Sequence, residues 1–378
     1  MGKTLRPADT AQLRDVVAGA AARGSKLRVR GGGSKDGVGA PVTGADTLDM
    51  RGFTGIIDYD PPELVLTLYT GTPLTEVQAL VASEGQMLAF DPFDHGDPRG
   101  SATIGGVVVA GVSGPSRLVR GGARDHLLGF EAVSGRGERF VAGGRVVKNV
   151  TGYDLPKVMA GSWGRLAALT WITLKVVPRP AIETTLVLRG LDPASAIVMM
   201  SRALGSAAEL SAAAHLASWR GHPTTAFRLD GFPPSVLARC QMLMRLIGEV
   251  ARLEVVESEE GDALWDAVRH AAPLRSDRPL WRIVVPLSRA VDVIAGIPDA
   301  DWMLDWAGGL IWLASDAYPS AIREVAESAL GHAMLMRADP VMRGAVPAFH
   351  PQPPALAALE ERVRRAFDPA GVFETGRF

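Results

Sequence analysis

The sequence is poor in cysteine and histidine. Cys240 is the single cysteine among 378 residues, so the chain cannot form an internal disulfide bond or supply the thiolates of an iron–sulfur cluster. A metal site built on several cysteines is excluded for the same reason. There are seven histidines, and none is next to another. The composition therefore indicates no resident metal.

Long apolar runs and an excess of charge are missing too. No stretch reaches the roughly 18 uncharged apolar residues that cross a membrane, and the opening MGKTLRPADT lacks the apolar segment of a signal peptide. The formal net charge of -1 gives no long-range attraction to nucleic acid or to an anionic membrane. We therefore expect a cytoplasmic protein that binds no nucleic acid and holds any acidic ligand through local contacts.

Glycine is abundant, and it is unevenly placed. Of the 42 glycines, 29 precede residue 181, whereas six of the eight tryptophans follow it. At about 150 residues per domain, a chain of 378 residues suggests two or three domains. The stretch LKVVPRPAI, residues 174–182, contains two prolines that end a predicted strand. We predict a domain boundary near residue 180.

The first region alternates predicted helices and strands. A helix is predicted over residues 8–24, with its cap at Asp9 or Thr10 and its end at Gly24. Strands KLRVR and ELVLTLYTG and a second helix, PLTEVQALVASEG, follow. This alternation is typical of an α+β or α/β fold. The glycine-dense residues 101–155 have little helical periodicity and predict loops and short strands.

The second region repeats this mixture. Its predicted strands are TTLVLRGL and LWRIVVPL, and its predicted helices are PSVLARCQMLMRLIGEVARL and SAIREVAESALG. An amphipathic helix, LAALEERVRRAF, is predicted near the C-terminus and ends at Asp368. Both regions thus combine helices with strands.

Three consecutive glycines follow the first long predicted strand, in RGGGSK at residues 30–35. The spacing is not that of the dinucleotide fingerprint G-x-G-x-x-G, because counting from Gly31 places Asp36 at the last glycine. No G-x-x-x-x-G-K-[ST] phosphate loop occurs either. Two interpretations stay open: a turn at the end of a strand, or a nest in which backbone N–H groups, Ser34 and Lys35 hold a diphosphate.

Further segments carry the same small and hydroxyl-bearing residues. GTP at residues 71–73 precedes a predicted helix, where unpaired N–H groups favour anions. GSATIGG at residues 100–106 can expose several amides without obstruction by side chains, and GVSG at 111–114 continues the pattern. VVKNVTGYDL at 146–155 adds a polar cluster before an apolar strand. A chain that needed only turns would not need so many such segments.

The chain resembles flavoproteins of the vanillyl-alcohol-oxidase type (PCMH type) in the order of seven segments: RGGGSK, GTP, SATIGG, RDHLLG, VVKNVTGYDL, AGSWGRLAALT and FDPAGVFETGRF. Within that family it is most similar to the FAD-binding subunits of bacterial glycolate oxidase, with VKNVTGYDL and DWAGGLIWLA as the more specific pieces. The resemblance covers essentially the whole chain. It implies an α+β fold in which residues 1–180 form an FAD-binding domain, 181–340 form a smaller α+β cap domain, and 341–378 return to the FAD domain.

The resemblance also implies how FAD is held. The diphosphate is expected between the glycine loop and the SATIGG segment, and the adenosine part is expected beside residues 164–168, with 148–154 shaping that side. Ser34 stands near the position where many relatives carry a histidine bonded to the flavin, so non-covalent FAD is expected. The residues expected to contact FAD are Gly31, Gly32, Gly33, Ser34, Lys35, Thr72, Ser101, Thr103, Ile104, Gly105, Gly106, Gly111, Ser113, Asn149, Tyr153, Gly164 and Ala168.

For function, the resemblance implies oxidation of a 2-hydroxy acid, glycolate, to glyoxylate. A homologous catalytic flavin subunit and a separate iron–sulfur subunit are the implied partners, and any contact with the inner face of the cell membrane runs through them. The reaction requires a base for the hydroxyl proton while hydride passes to the flavin, and a group that holds the carboxylate. His95 is the candidate base, and Arg117 is a candidate for the carboxylate, with Arg99 and Arg124 as alternatives.

Departures from the family pattern leave other functions open. The catalytic glycolate oxidase subunits carry a paired-histidine metal site near the C-terminus, whereas His350 stands in AFHPQPP without acidic or histidine neighbours, and Ala167 replaces a usual glycine. One alternative is a non-catalytic flavin subunit for electron transfer or assembly, and another is a different FAD-dependent oxidoreductase of the same fold. The tryptophan-rich residues 301–314 predict either a partner interface or the core of the cap.

Overall fold

A computed structural model describes residues 2–94, 100–144, 152–248 and 252–378 of the chain. The elements of the first region are β1 (Thr4–Leu5), α1 (Thr10–Arg23), β2 (Leu27–Arg30), β3 (Asp46–Asp49), β4 (Ile56–Asp60), β5 (Val65–Tyr69), α2 (Leu74–Ser83), β6 (Gln86–Met87), α3 (Ile104–Ala110), α4 (Arg117–Arg120), α5 (Ala123–His126), β7 (Leu127–Ser134), β8 (Arg139–Gly143), α6 (Pro156–Met159), β9 (Ala167–Lys175) and β10 (Val177–Pro178).

The elements of the second region and of the C-terminal segment follow in the same way. They are β11 (Ile182–Arg189), α7 (Pro193–Leu204), β12 (Ala212–Trp219), β13 (His222–Gly231), α8 (Pro233–Gly248), β14 (Glu254–Val255), α9 (Ser258–Arg269), β15 (Leu280–Val284), α10 (Ala290–Gly296), β16 (Asp301–Asp305), β17 (Leu310–Ala314), α11 (Pro319–Ser328), β18 (His332–Arg337), α12 (Pro340–Ala345) and α13 (Pro354–Phe367). Within the described residues, no helix is both long enough and apolar enough to cross a membrane.

Helix α1 and a small parallel sheet in the order β1-β3-β2 build the N-terminal layer. The predicted cap is confirmed, because the Asp9 side chain accepts a hydrogen bond from the Gln12 N–H at 2.8 Å. The predicted end is confirmed as well, since Gly24 has a left-handed φ of 65°. Leu13 and Val17 are buried at helical spacing and pack with Leu48 of β3. The glycine loop follows β2 directly, so this layer fixes the position of the start of the loop.

A five-stranded antiparallel sheet, in the order β4-β5-β9-β7-β8, forms the second layer of the first region. Its apolar face buries Leu66, Phe130 and Ile172 against helices α2 and α3. The hydroxyls of Thr67 and Thr173 lie 3.0 Å apart on two paired strands. Since Thr70 follows β5 directly, this sheet fixes the residues that hold the start of α3.

The second region is built on an eight-stranded antiparallel sheet, in the order β14-β11-β13-β12-β16-β17-β15-β18. Helices α7, α8, α10 and α11 cover one face, where Trp281 and Ile311 are buried. The opposite face packs on the first region, with Trp312 of β17 stacked on Phe93 at 5.7 Å between ring centroids. One face of the sheet therefore packs on the first region, and helices α7, α8, α10 and α11 cover the other face.

The C-terminal segment contacts the first region. The Leu27 N–H donates to the carbonyl oxygen of Val372 at 2.8 Å, and the carboxylate of Asp368 accepts from the N–H groups of Val372 and Phe373. Arg165 pairs with Glu360 of α13 at 2.8 Å. These contacts fix the last residues beside β2 and its loop. The division of the chain at residues 180 and 340 stays a prediction.

The prediction of loops and short strands over residues 101–155 is wrong in part. Helices α3, α4 and α5 and the eight-residue strand β7 lie within this stretch. Helix α3 was missed because IGGVVVA combines two glycines with four β-branched residues, which have low helix propensity. Its helical form depends on the Thr103 side chain, which caps it by accepting from the Gly106 N–H at 3.4 Å.

Candidate functional site

A cavity that is open to solvent lies between the glycine loop, the start of α3 and the residues before β9. Glycines dominate its polar wall, and the side chains around them are mostly small or apolar. Its lining comprises Val29, Arg30, Gly31, Gly32, Gly33, Ser34, Lys35, Asp36, Met50, Thr70, Thr103, Gly105, Gly106, Val109, Trp163, Gly164, Ala167, Leu169 and Arg377. The cavity is the best candidate for a cofactor site.

The glycine loop lies directly against the segment that begins α3. A Cβ atom added to Gly32 would lie 1.3 Å from the carbonyl oxygen of Ser101, and one added to Gly31 would lie 2.2 Å from Oγ1 of Thr103. Only glycine permits this approach of two backbones. The two segments therefore form one continuous wall of the cavity.

The start of α3 is fixed by backbone bonds to the residues after β5. The Ile104 N–H donates to the Thr72 carbonyl oxygen at 3.0 Å, and the Gly105 N–H donates to that of Thr70 at 2.9 Å. A Cβ atom on Gly105 would lie 2.5 Å from Cβ of Thr70. The predicted residue Thr72 is fully buried and donates its hydroxyl to the carbonyl oxygen of Tyr69. Thr72 thus holds the start of α3 in place without lining the cavity itself.

Backbone N–H groups without a backbone partner lie on the loop side of the cavity. Among the described residues, the N–H groups of Gly32, Gly33 and Ser34 make no backbone hydrogen bond. The Lys35 side chain is only 8% exposed, and its Nζ lies 3.4 Å from Oγ of Ser34. Clustered N–H groups with a nearby ammonium form a nest for phosphate oxygens. This arrangement fits a diphosphate.

Cations surround the loop. Arg28 and Arg30 both pair with Asp36, the latter at 2.8 Å. Arg377 from the C-terminal segment donates to the carbonyl oxygens of Lys35 and Val38. Burial, and then the neighbouring guanidinium of Arg28, lower the pKa of Arg377 to about 10. An anion in the cavity would relieve this repulsion between cations.

The structure brings many of the predicted residues together and leaves others apart. Those that line the cavity are Gly31, Gly32, Gly33, Ser34, Lys35, Thr103, Gly105, Gly106 and Gly164. Those outside its lining are Thr72, Ser101, Ile104, Gly111, Ser113, Tyr153 and Ala168. Tyr153 is 90% exposed, whereas Ile104 and Ala168 are buried in the core. His95 and Asn149 lie outside the described residues, and the FAD contacts of all these residues stay predictions.

Several lining residues were not found from the sequence. Trp163 has a left-handed φ of 55° beside Gly164 at the cavity edge, and its ring lies 5.2 Å from that of Phe378 and 6.1 Å from that of Phe349. Arg377 reaches the loop from more than 300 residues along the chain. No local motif marks such long-range neighbours, although GSWGR and FETGRF do contain them.

A second polar cluster lies where the eight-stranded sheet meets the first region. Arg228 of β13 is buried, donates to the Ser116 hydroxyl and lies 3.4 Å from the Asp91 carboxylate. Burial alone would raise the pKa of Asp91, but Arg228 and Arg269 hold it below its usual value. At the end of β16, burial raises the pKa of Asp305 to about 7. This cluster joins the sheet to the segment that follows α3.

The tryptophan-rich residues 301–314 belong to the core. Trp306 and Trp312 are 7% and 2% exposed, so of the two predictions for this stretch the structure selects the core. Arg117, the candidate for a carboxylate, lies at the start of α4 and pairs with Asp125 at 3.3 Å. Its guanidinium lies 5.8 Å from the centre of the Trp306 ring. Arg117 is thus part of the second polar cluster and does not line the cavity.

The comparisons with known proteins agree with this geometry. A sequence family described as an FAD binding domain matches residues 3–143. Glycolate oxidase subunit GlcE of Escherichia coli (strain K12) is 34% identical over 376 residues, which are 99% of this chain and 98% of that protein. Glycolate oxidase subunit GlcD of Bacillus subtilis (strain 168) is 31% identical over 146 residues, which are 39% of this chain and 30% of that protein.

Solved structures share the fold at low sequence identity. The structure of p-cresol methylhydroxylase with substrate bound has a TM-score of 0.72 and 14% identity, covering 99% of this chain and 88% of that one. Alkyldihydroxyacetonephosphate synthase has a TM-score of 0.69 and 12% identity, covering 98% of this chain and 76% of that one. At these identities the likeness concerns the fold alone.

The fold class is therefore α+β, with an FAD-binding domain of the PCMH type and a cap, as the resemblance implied. The glycine-lined cavity fits FAD, because its free N–H groups and cations suit a diphosphate. The protein is an FAD-dependent oxidoreductase. The chain belongs to the family of glycolate oxidase subunit GlcE.

Proposed function

We propose that this protein is the FAD-binding subunit of a complex that oxidises glycolate to glyoxylate. The observation that carries the proposal is the 34% identity to the Escherichia coli subunit over nearly the full length of both chains. Partial similarity to a second glycolate oxidase subunit supports a role beside a homologous flavin subunit. A separate iron–sulfur subunit as electron acceptor, a cytoplasmic location and membrane contact only through partners complete the proposal.

The residues of the cavity define what the chain contributes. When bound, FAD supplies the two-electron acceptor for oxidation of an alcohol carbon to a carbonyl carbon. The N–H groups of residues 32–34 and the ammonium of Lys35 hold the diphosphate, and Arg377 keeps the loop in place. Trp163 and Gly164 shape the adenosine side. No histidine occurs between Gly31 and Gly39, which supports non-covalent FAD.

The eight-stranded sheet is the part of the chain that we assign to the substrate side. Its apolar face packs on Phe93 and Val112 of the first region, and we place the small 2-hydroxy acid at this junction. His95 remains the proposed base, and its position lies outside the described residues. A base next to the hydroxyl group and a cation next to the carboxylate are the groups that this reaction requires.

Two experiments on the full-length chain test the proposal. First, the purified protein is precipitated with acid, and the supernatant is assayed for FAD. Released FAD is expected, whereas flavin retained in the pellet would contradict the non-covalent mode. Second, glycolate is added without oxygen, and bleaching of the bound flavin is followed.

The bleaching experiment separates the two main functions. Bleaching in the chain alone is expected if this subunit oxidises glycolate itself. Bleaching only in the presence of the partner flavin subunit would favour the alternative, an electron-transfer or assembly subunit. A purified chain that neither contains nor rebinds FAD would contradict both.

A further inference from the structure

The Arg282 side chain is half-buried and pairs with no carboxylate among the described residues. Its Nε is buried without a hydrogen bond, and within the described ranges Arg282 forms neither an ion pair nor a side-chain hydrogen bond. A half-buried cation without a counter-charge is destabilising. Groups of this kind cluster at functional sites, where a ligand can supply the opposite charge.

Its position on the sheet directs Arg282 toward the first region. Arg282 of β15 is paired with Trp312 of β17 and Met334 of β18. Both neighbours belong to the apolar cluster that includes Phe93 and Val112 of the first region. Arg282 therefore lies on the face of the sheet that meets the FAD-binding region, opposite the face covered by helices.

A second arginine lies against the same aromatic ring. The Arg282 guanidinium is 4.9 Å and the Arg117 guanidinium 5.8 Å from the centre of the Trp306 ring. Burial, and then the charge of Arg117, lower the pKa of Arg282 to about 10, while Asp305 opposes the effect. Asp125 pairs with Arg117 at 3.3 Å, but among the described residues no carboxylate pairs with Arg282. An anion beside the indole would therefore offset the repulsion between the two guanidinium groups.

The backbone around Trp306 is strained, and a bond to the first region holds it. Trp306 and Ala307 have left-handed φ angles of 53° and 56°, which are unfavourable for residues other than glycine. The indole Nε1 donates to the Gly114 carbonyl oxygen at 3.0 Å. Strain of this kind concentrates at ligand-binding sites.

A buried hydroxyl completes the cluster. Oγ of Ser113 is buried and has no hydrogen-bond partner among the described residues. A Cβ atom added to Gly122 would lie 2.6 Å from this oxygen and 2.8 Å from Nη1 of Arg117. An unused hydroxyl donor thus lies beside the second guanidinium. Both belong to the segment after α3, the helix whose first turn lines the cavity.

We propose that Arg282 and Arg117, stacked on Trp306 and assisted by Ser113, bind the carboxylate of the 2-hydroxy acid. The substrate class of this site rests on the proposed function, whereas the preference for an anion rests on Arg282, which pairs with no carboxylate among the described residues. Arginine presents a planar fork of donors that matches a carboxylate. Helix α3 has seven residues, so it separates this site from the diphosphate wall by about 10 Å.

Binding of a substrate analogue that cannot be oxidised tests the site. The FAD-loaded full-length chain is titrated by calorimetry with 2-hydroxy-2-methylpropanoate, which has no hydrogen on its hydroxyl-bearing carbon, and with its neutral amide. We expect the acid to bind at least ten times more tightly than the amide. Equal binding of the two, or no binding of the acid, would overturn the proposal.

Variants of Arg282 test whether the acid binds at this residue. Arg282→Met keeps an aliphatic stem on the indole and should weaken binding of the acid roughly 10- to 100-fold. Arg282→Lys keeps the positive charge but lacks the planar guanidinium. Its affinity for the acid should lie between that of Arg282→Met and that of the unaltered chain. Arg245→Met, on an exposed position of α8, should bind like the unaltered chain. Unchanged binding in a folded Arg282→Met or, should that variant not fold, in Arg282→Lys would overturn the assignment.

Oxidation measured in parallel separates this site from the proposed function. Tight binding of the acid without bleaching by glycolate would leave the site standing and the proposed activity wrong. Bleaching by glycolate together with unchanged binding in Arg282→Met would leave the activity standing and the site wrong.

Discussion

Gly32 and the carbonyl oxygen of Ser101 are so close that a Cβ atom on Gly32 would lie 1.3 Å from that oxygen. Gly32→Val should therefore separate the glycine loop from the start of α3 and lose FAD, with a stability cost of about 1–3 kcal/mol for the overpacking. Gly37→Val is the matched control, because a Cβ atom there meets nothing within 4 Å. Flavin content and thermal melting are measured together. Unchanged values in Gly32→Val would refute the contact.

Arg377 anchors the loop through carbonyl oxygens instead of a carboxylate. Arg377→Ala should loosen residues 31–39 and weaken FAD binding about 10-fold, which corresponds to about 1.4 kcal/mol. The dissociation constant is measured by titrating the FAD-free chain with FAD. Arg365→Ala, on an exposed position of α13, should bind FAD normally. An equal loss in both variants would assign the effect to the C-terminal segment as a whole.

The buried pair of Arg228 and Asp91 joins the sheet to the first region. Asp91→Asn should cost roughly 3 kcal/mol of unfolding free energy, because it leaves Arg228 short of a counter-charge. Asparagine tolerates the left-handed φ of 45° at this position, so the variant isolates the charge. Urea unfolding near neutral pH measures the cost. The exposed Asp301→Asn, whose partner is Arg278, should cost less than about 1 kcal/mol, and equal costs would contradict the account.

Asp305 should make the protein less stable as the pH rises. Burial raises the pKa of its carboxyl to about 7 from 3.8, so the unfolded chain loses this proton first, and stability falls between these two pH values. Asp305→Asn removes the effect and keeps an acceptor for the Trp306 N–H. The variant should gain up to about 4 kcal/mol relative to the unaltered chain between about pH 4 and pH 8. A pH-independent difference would contradict the raised pKa.

Local sequence signals predicted the elements whose causes are local. Helix α1 follows from the Asp9 cap and the spacing of Leu13 and Val17, and these features are observed. Helix α3 could not be predicted, because bonds from residues 70 and 72 fix a segment of low intrinsic propensity.

The site, like the fold, was predictable only where the signal is local in the sequence. The glycines of residues 31–33 and 105–106 stood out as small residues, and the structure places them in one cavity wall. The reason for Gly31 and Gly32 was missed, since it is the approach of a backbone about 70 residues away. Arg377, Trp163 and Arg282 carried no signal, because tertiary packing alone gives them their neighbours.

FAD content after a change at Gly106 tests the cavity most directly. A Cβ atom at Gly106 meets only Oγ1 of Thr103, at 3.3 Å, so a longer side chain there extends into the cavity with little effect on the core. Gly106→Leu should purify folded but without visible flavin absorbance, whereas Gly248→Leu, at the exposed end of α8, should keep FAD. A folded Gly106→Leu with full FAD content and unchanged FAD affinity would contradict the placement of the cofactor.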